Sequence, residues 1–293
     1  MKEVTIVIPV CNRAGFLPQL FRSLDKVTYP GLHVILVDNG SQDESLELCR
    51  HYADTTLLHV EVLKEHRRGA AIARNTGLRH CRTEWICFFD SDDELSSDFL
   101  DVLMPLTDGK DAVFLSTVQV EGKREKVRSC KAVTDASYQI LSSMLNTDSM
   151  LLRTDWLREI GGWNESLTVW DDWELGVRVL LDKPRCVWYL DKPFHRLYVH
   201  GDSLTGPSMS HNVEGKLACL KTVYDSLEED RHKKALFLRS KIVEGQMRRE
   251  GTDVTVRGFD EEQSDAVYHF GRFLSWYTRL GGRGAWRIAS WVC

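Results

Sequence analysis

Through residue 90 the chain alternates short, β-branched apolar runs with stretches whose apolar residues recur at spacings of three and four. That is the pattern of βα units around a largely parallel sheet. Strands are predicted at Val4–Pro9, His33–Asp38, Leu57–Leu63 and Trp85–Asp90, with helices at Phe16–Val27, Glu44–Ala53 and Ala70–Cys81. Pro9, Asp38 and Asp90 then stand at strand C-termini, and open α/β sheets bind ligands beyond that edge. From about Asp111 the pattern loosens. Ala112–Val120 reads as a strand, Lys123–Lys131 as a basic turn and Asp148–Arg153 as a short strand before a helix. Asp171–Leu181 reads as a helix with an acidic first turn, Phe194–His200 as a strand and Gly201–Ser210 as a loop. Beyond about His211 the pattern is helical.

Length and charge narrow this picture. A chain of 293 residues accommodates one large α/β domain or two ordinary ones. The expected division is an α/β domain over 1–210, with its two halves meeting near residue 110, followed by a helical region over 211–293. Net charge supports that break, being −8 over residues 1–215 and +3 over 216–293. The total of −5 argues against a nucleic-acid partner, which requires a strong basic footprint. Eight cysteines are scattered singly, without CxxC pairs or zinc spacing, which fits a reducing, cytoplasmic setting. The apolar run after Met1-Lys2-Glu3 is too short to span a membrane and lacks a signal-peptide cleavage site, so it reads as the first core strand.

Two acidic constellations carry candidate chemistry. Trp85-Ile-Cys-Phe-Phe-Asp90-Ser91-Asp92-Asp93 is an apolar strand ending in three carboxylates. Carboxylates so placed repel unless a hard cation such as Mg²⁺ or Mn²⁺ compensates them, and such ions complete their shells with ligand phosphates. The bland alternative is an acidic helix cap at Asp92 or Asp93. In Trp170-Asp171-Asp172-Trp173-Glu174, one carboxylate can cap the helix while its neighbour projects into a cleft and acts as a general base. Capping alone would also explain that pair. Trp163, Trp170 and Trp173 offer aromatic faces on which a ligand can stack, although core packing is the commoner use of tryptophan.

Five segments in order resemble family 2 glycosyltransferases of the GT-A fold, in a bacterial, inverting form, over residues 3 to about 205. They are Val4-Thr-Ile-Val-Ile-Pro9-Val-Cys-Asn12-Arg13, Val34-Ile-Leu-Val-Asp38-Asn39-Gly40-Ser41-Gln42-Asp43, Ala73-Arg74-Asn75-Thr-Gly77, Phe89-Asp90-Ser91-Asp92-Asp93, and Gly161-Gly162-Trp-Asn-Glu165 followed by Asp171-Asp172-Trp173-Glu174-Leu175. The resemblance implies a Rossmann-like, mostly parallel sheet flanked by helices, with a nucleotide-sugar half over about 1–110, an acceptor half over about 111–210 and a helical C-terminal region. It implies a nucleoside pocket from the turn carrying Pro9, Val10, Asn12 and Arg13 and the turn from Asp38 to Ser41. Asp38 or Asn39 would meet a pyrimidine ring, Arg74 would lie near base or phosphate, and Asp90, beside Ser91, would face the ribose.

The same resemblance makes Asp92 the metal ligand on the diphosphate, with Asp90 and His200 as further candidates. It aligns Asp172 with the catalytic base, and Asp171 stands where Glu is more usual. The implied cofactor is Mn²⁺ or Mg²⁺, the donor a UDP-sugar, and the acceptor a glycan or lipid-linked hydroxyl in polysaccharide biosynthesis. Asn39 departs from the commoner acidic pair, and Asn offers a base edge either a donor or an acceptor. A nucleotidyltransferase would need a Gly-rich basic loop after the first strand, where Pro9–Gly15 offers one arginine and one glycine. A catalytically silent nucleotide-sugar-binding module is the other alternative. A homo-oligomer is left open.

Residues 272–293 hold four arginines, three tryptophans and no acid. Such a segment suits peripheral contact with an anionic membrane surface, at its inner face for a cytoplasmic protein. It equally suits a helix closing over the catalytic domain, and Gly281, Gly282 and Gly284 interrupt any continuous helix.

Overall fold

A computed structural model describes residues 2–199, 208–260 and 263–293. Along the chain run β1 (Val4–Val10), α1 (Leu17–Leu24), β2 (Leu32–Asp38), α2 (Ser45–Thr55), β3 (His59–Lys64), α3 (Ala70–His80) and β4 (Trp85–Phe88). Next come α4 (Phe99–Leu103), β5 (Ala112–Glu121), β6 (Arg124–Arg128), α5 (Ala136–Ser142), β7 (Met150–Arg153), α6 (Thr154–Glu159), α7 (Asp171–Leu181) and β8 (Cys186–Tyr198). The order ends with α8 (Val213–Ser226), α9 (Asp230–Arg249), α10 (Asp265–Arg279) and α11 (Ala285–Ala289). These elements gather into two compact units built from discontinuous stretches. One comprises Met1–Ala132, Leu145–Thr168 and Asp182–Val199, and the other Val133–Met144, Val169–Leu181 and His200–Cys293.

The first unit is built on a sheet of order β3-β2-β1-β4-β7-β5-β6, with β8 also paired to β5. Strands β3, β2, β1 and β4 are parallel, whereas β7 lies antiparallel between β4 and β5. Val4, Ile6, Ile8 and Val10 of β1 join Leu17, Leu20 and Leu24 of α1 and Cys49 and Tyr52 of α2 in one apolar core. The opposite face is covered by α3, where Gly77 passes so close to β1 that an added Cβ would lie 2.3 Å from Val7 Cγ1. A strand covered on both faces reads as a continuous apolar run, which is why β1 shows no alternation.

Strands β6 and β8 differ most from the sequence reading, and helices α4 and α5 are absent from it. The basic turn read at Lys123–Lys131 contains strand β6, because the chain reverses within two residues at Gly122, whose φ is +58°, and pairs back on β5. Its charged residues are exposed on the edge of the sheet, a common guard against edge-to-edge association. Strand β8 begins at Cys186, well before the predicted Phe194. Val187, Trp188 and Tyr189 pair with Val113, Phe114 and Leu115 before the register shifts near Thr117, and His195 takes a positive φ of 52°. The Asp191-Lys192-Pro193 interruption disguises this as a turn.

In the second unit α9 is the central helix, with α5, α10 and α11 packed against it, while α7 packs on α5 and α8. Among the described residues, no helix is long and apolar enough to cross a membrane.

Candidate active site

The parallel register pairs Val10 with Asp38, so β1 and β2 release their chains side by side. The two turns that follow are tied together. The Asn12 N–H donates to Ser41 Oγ at 3.1 Å, and Asn12 Oδ1 accepts from the Gln42 N–H at 2.8 Å. The Arg13 N–H donates to Ser45 Oγ at 2.8 Å and the Ala14 N–H to Asp43 Oδ2 at 3.1 Å. Asn12 holds φ at 52°, a region Asn tolerates better than most residues. The Val10 side chain is fully buried in the core, and its carbonyl accepts the Asn39 N–H at 2.7 Å.

Asp38 and Asn39 are both buried but do different work. Asn39 Nδ2 donates to the carbonyls of Glu65 and Arg67, at 3.2 and 2.7 Å, and its Oδ1 accepts the Gly69 N–H at 2.8 Å. Both amide hydrogens are therefore used in holding the β3–α3 connection. Among the described residues, Asp38 accepts only a long bond from the Ser41 N–H through Oδ1, at 3.3 Å.

The acidic centre lies where β4 ends. Asp90, Asp93 and Asp148 each bring a carboxylate oxygen within 4.8 Å of the others. Antiparallel pairing of β7 with β4 delivers Asp148, on the turn leading into β7, and its Oδ1 accepts the Asp90 N–H at 3.1 Å. Asp93 accepts the Tyr198 N–H at 2.7 Å. Arg74 on α3 pairs with Asp90 at 2.7 Å, and its guanidinium lies 4.3 Å from the Trp163 ring centroid. Burial, with the neighbouring carboxylates adding to it, pushes the Asp93 and Asp148 carboxyls well above their ordinary range. An all-oxygen, charge-crowded donor set of this kind fits a hard divalent cation. Asp92 stands beside the group, with Oδ2 3.7 Å from Arg13 Nε, and Ser91 is buried. His200 lies outside the described residues.

Asp148 is absent from the candidates read from the sequence. Its signal was available only as an acid just ahead of a strand, Asp148-Ser-Met150, since it joins the centre through strand pairing rather than local spacing. Asn75 has a role that the motif alone did not disclose. Its Nδ2 donates to the Trp163 carbonyl at 2.8 Å and its Oδ1 accepts the Trp163 N–H at 2.9 Å, clamping the Gly162–Glu165 turn onto α3. Nearby, the Arg67 backbone N–H and the Thr76 hydroxyl hold the Glu65 carboxyl down at about 2.

Asp171 and Asp172 belong to the second unit, in the first turn of α7, and both are half-buried. Asp172 Oδ1 approaches the Trp173 N–H at 2.7 Å. Trp170, which precedes them, has φ at 60°, an uncommon conformation for a bulky residue. Its carbonyl accepts from Glu174 N at 3.0 Å and Cys219 Sγ at 3.6 Å. Arg239 lies within 5.5 Å of the Trp170 ring centroid and 5.7 Å of that of Trp173, and donates to the Leu141 carbonyl at 3.0 Å. Trp163, Trp170 and Trp173 are all buried, which places them in the packing rather than on a sugar-binding surface.

The Glycosyl transferase family 2 model matches residues 5–159, and the chain belongs to that family. The glycosyltransferase GlyA of Streptococcus pneumoniae is 31% identical over 103 residues, covering 34% of this chain and 14% of that protein. The pre-mycofactocin glycosyltransferase of Mycobacterium tuberculosis is 29% identical over 193 residues, covering 61% of this chain and 39% of that protein. The chain thus spans less than half the length of these curated relatives. Among solved structures, residues 1–349 of Staphylococcus aureus TarS in complex with UDP-GlcNAc superpose with a TM-score of 0.72 at 19% identity, covering 98% of this chain and 90% of that one. The mannosyltransferase of Pyrobaculum calidifontis, in complex with GDP-Man and Mn²⁺, gives a TM-score of 0.63 at 18% identity, covering 98% of this chain and 82% of that one. These likenesses establish the GT-A fold.

Proposed function

We propose that this protein is a divalent-cation-dependent, inverting glycosyltransferase. It moves a sugar from a UDP-sugar to a hydroxyl of a glycan or lipid-linked acceptor. The observation that carries the reading is the buried group of Asp90, Asp93 and Asp148 at the end of β4, in the same unit as the linked turns after β1 and β2. The nucleotide sugars held by the two structural neighbours support the donor class.

Asp90, Asp93 and Asp148 would hold the cation, with Asp92 beside them. Mn²⁺ or Mg²⁺ bound there would supply Lewis-acid stabilisation of the charge that develops on the leaving diphosphate. Arg74, paired with Asp90, orients that carboxylate and adds positive charge near the phosphates. Asp38 reads the base, because Asn39 has both amide hydrogens engaged by backbone carbonyls. A bond forms between the acceptor oxygen and the anomeric carbon as the bond to the diphosphate oxygen breaks. The diphosphate leaves with the electron pair, and the acceptor's proton passes to the Asp172 carboxylate. The base role rests on the place of Asp172 in the family pattern and its half-exposed position at the start of α7.

Calorimetric titration with UDP, GDP, CDP and dTDP, each with Mn²⁺ and again with chelator, tests the reading. The expected result is Mn²⁺-dependent UDP binding, weakened in Asp92→Asn and retained in Asp172→Asn, with turnover lost in both. Full turnover by Asp172→Asn would overturn the base assignment, and no nucleotide binding under any condition would overturn the donor class.

A further inference from the structure

We propose that the outer face of α10 is a docking surface for the anionic headgroups of a phospholipid membrane. Gly271, Leu274, Ser275 and Thr278 bury one side of this helix. At 100° per residue, the opposite side carries His269, Phe273, Trp276 and Leu280. Phe273 is 44% exposed, Trp276 58% and Leu280 67%. Large apolar side chains left this open along one helix face mark an interaction site rather than ordinary surface scatter.

The contacts of α10 fix this orientation. An added Cβ at Gly245 of α9 would meet Thr278 Oγ1 at 1.9 Å and the Ser275 carbonyl oxygen at 2.2 Å, so the two helices touch backbone to side chain along the buried side. Phe273 is stacked on Phe270 and Tyr277, with ring centroids 6.2 and 5.9 Å apart, which stiffens the aromatic row.

Charge selects the occupant. Arg272 and Arg279 flank the row on one side and are exposed, and beyond Asp265 the sequence contains no acid. Exposed Arg283 and Arg287 and the 83% exposed Trp291 continue the same composition. Among the described residues no carboxylate pairs with any of the four arginines. A ridge one residue wide, bordered by arginine and ending in Trp and Leu, suits shallow insertion at the headgroup level, with the guanidinium groups on lipid phosphates.

Co-sedimentation tests this with vesicles of phosphatidylcholine alone and of phosphatidylcholine mixed equally with phosphatidylglycerol, in low and high salt. The full chain is expected to bind the anionic vesicles and to lose binding in high salt, where headgroup attraction is screened. Arg272→Gln with Arg279→Gln should weaken binding by about tenfold or more. Trp276→Ser with Leu280→Ser should abolish it while leaving the thermal unfolding midpoint and UDP binding unchanged. Equal binding by these variants, or none to anionic vesicles by the parent chain, would overturn the proposal. So would a dimer of the parent chain that the Trp276→Ser, Leu280→Ser variant loses, since the face would then serve a second copy. Vesicle binding needs no donor sugar, so its failure is separate from failure of the glycosyltransferase reading.

Discussion

Asp148 shows how a buried carboxylate can weaken a fold while equipping it. Burial and the carboxyls crowded around it push its pKa up, and the Asp90 N–H only partly offsets that. Asn in its place keeps the shape and can still accept the Asp90 N–H through its amide oxygen, but removes one charge from the group. Asp148→Asn is therefore expected to raise the thermal unfolding midpoint in the presence of chelator, as groups kept for function commonly trade against stability. The same change should lower Mn²⁺-dependent UDP affinity by roughly 10- to 100-fold, the usual effect of losing a close metal partner. A calorimetric scan and a titration on one preparation measure both. A lower midpoint would show that Asp148 chiefly supports local structure.

At the level of elements, close approach rather than composition decides where helices sit. Gly245 lets α10 lie against α9, and Gly77 does the same for α3 against β1. Gly245→Ala is expected to destabilise the protein by about 1–3 kcal/mol, because Ser275 meets the new Cβ with a backbone oxygen that cannot rotate away. Gly15→Ala is the comparison, since nothing lies within 4 Å of its added Cβ, and it should stay within about 0.5 kcal/mol of the parent. Chemical denaturation of the two variants measures the difference. This contrast also explains what the sequence disclosed. Helix α7 was legible as Asp171–Leu181 because an acidic first turn precedes an apolar stripe, and β1 because its apolar run is broken only by Thr5. Strand β6 was hidden because an edge strand of alternating charges looks like a loop, and β8 because Pro193 and a bulge divide it. The contributions of 133–144 and 169–181 to the second unit leave no change of composition at their borders, so nothing local announces them.

Across the whole molecule, the acidic motif and the linked turns could be read because they lie on consecutive strand ends, whereas long-range partners could not. Asp148 meets Asp90 across 58 positions of sequence, and His195 meets Ser96 across 99. His195 also contributes to the protein's response to acid. Its ring lies among Phe89 and Phe99, with centroids 5.1 and 4.6 Å away, and its Nδ1 accepts the Ser96 N–H. Burial pushes its pKa down to about 3, from an ordinary value of 6.5. Asp98, which pairs with Lys192, opposes this shift but offsets little of the burial. The unfolded chain therefore binds a proton that the folded chain refuses. Stability from this group is present above about pH 6.5 and is lost progressively as pH falls toward about 3. Glu65 and Asp111 add a second loss at lower pH, since hydrogen bonds from Arg67 and Arg185 hold each at about 2, below the ordinary carboxylate range. Relative to His195→Gln, the parent chain should thus lose stability by up to about 1.4 kcal/mol per pH unit between about pH 6 and 5 in denaturation at a series of pH values, while Asp93 and Asp148, held above the ordinary carboxylate range, act in the opposite sense in both chains. The lower part of the curve should be the same in the two. An unchanged slope in the variant would place the acid sensitivity elsewhere in the chain.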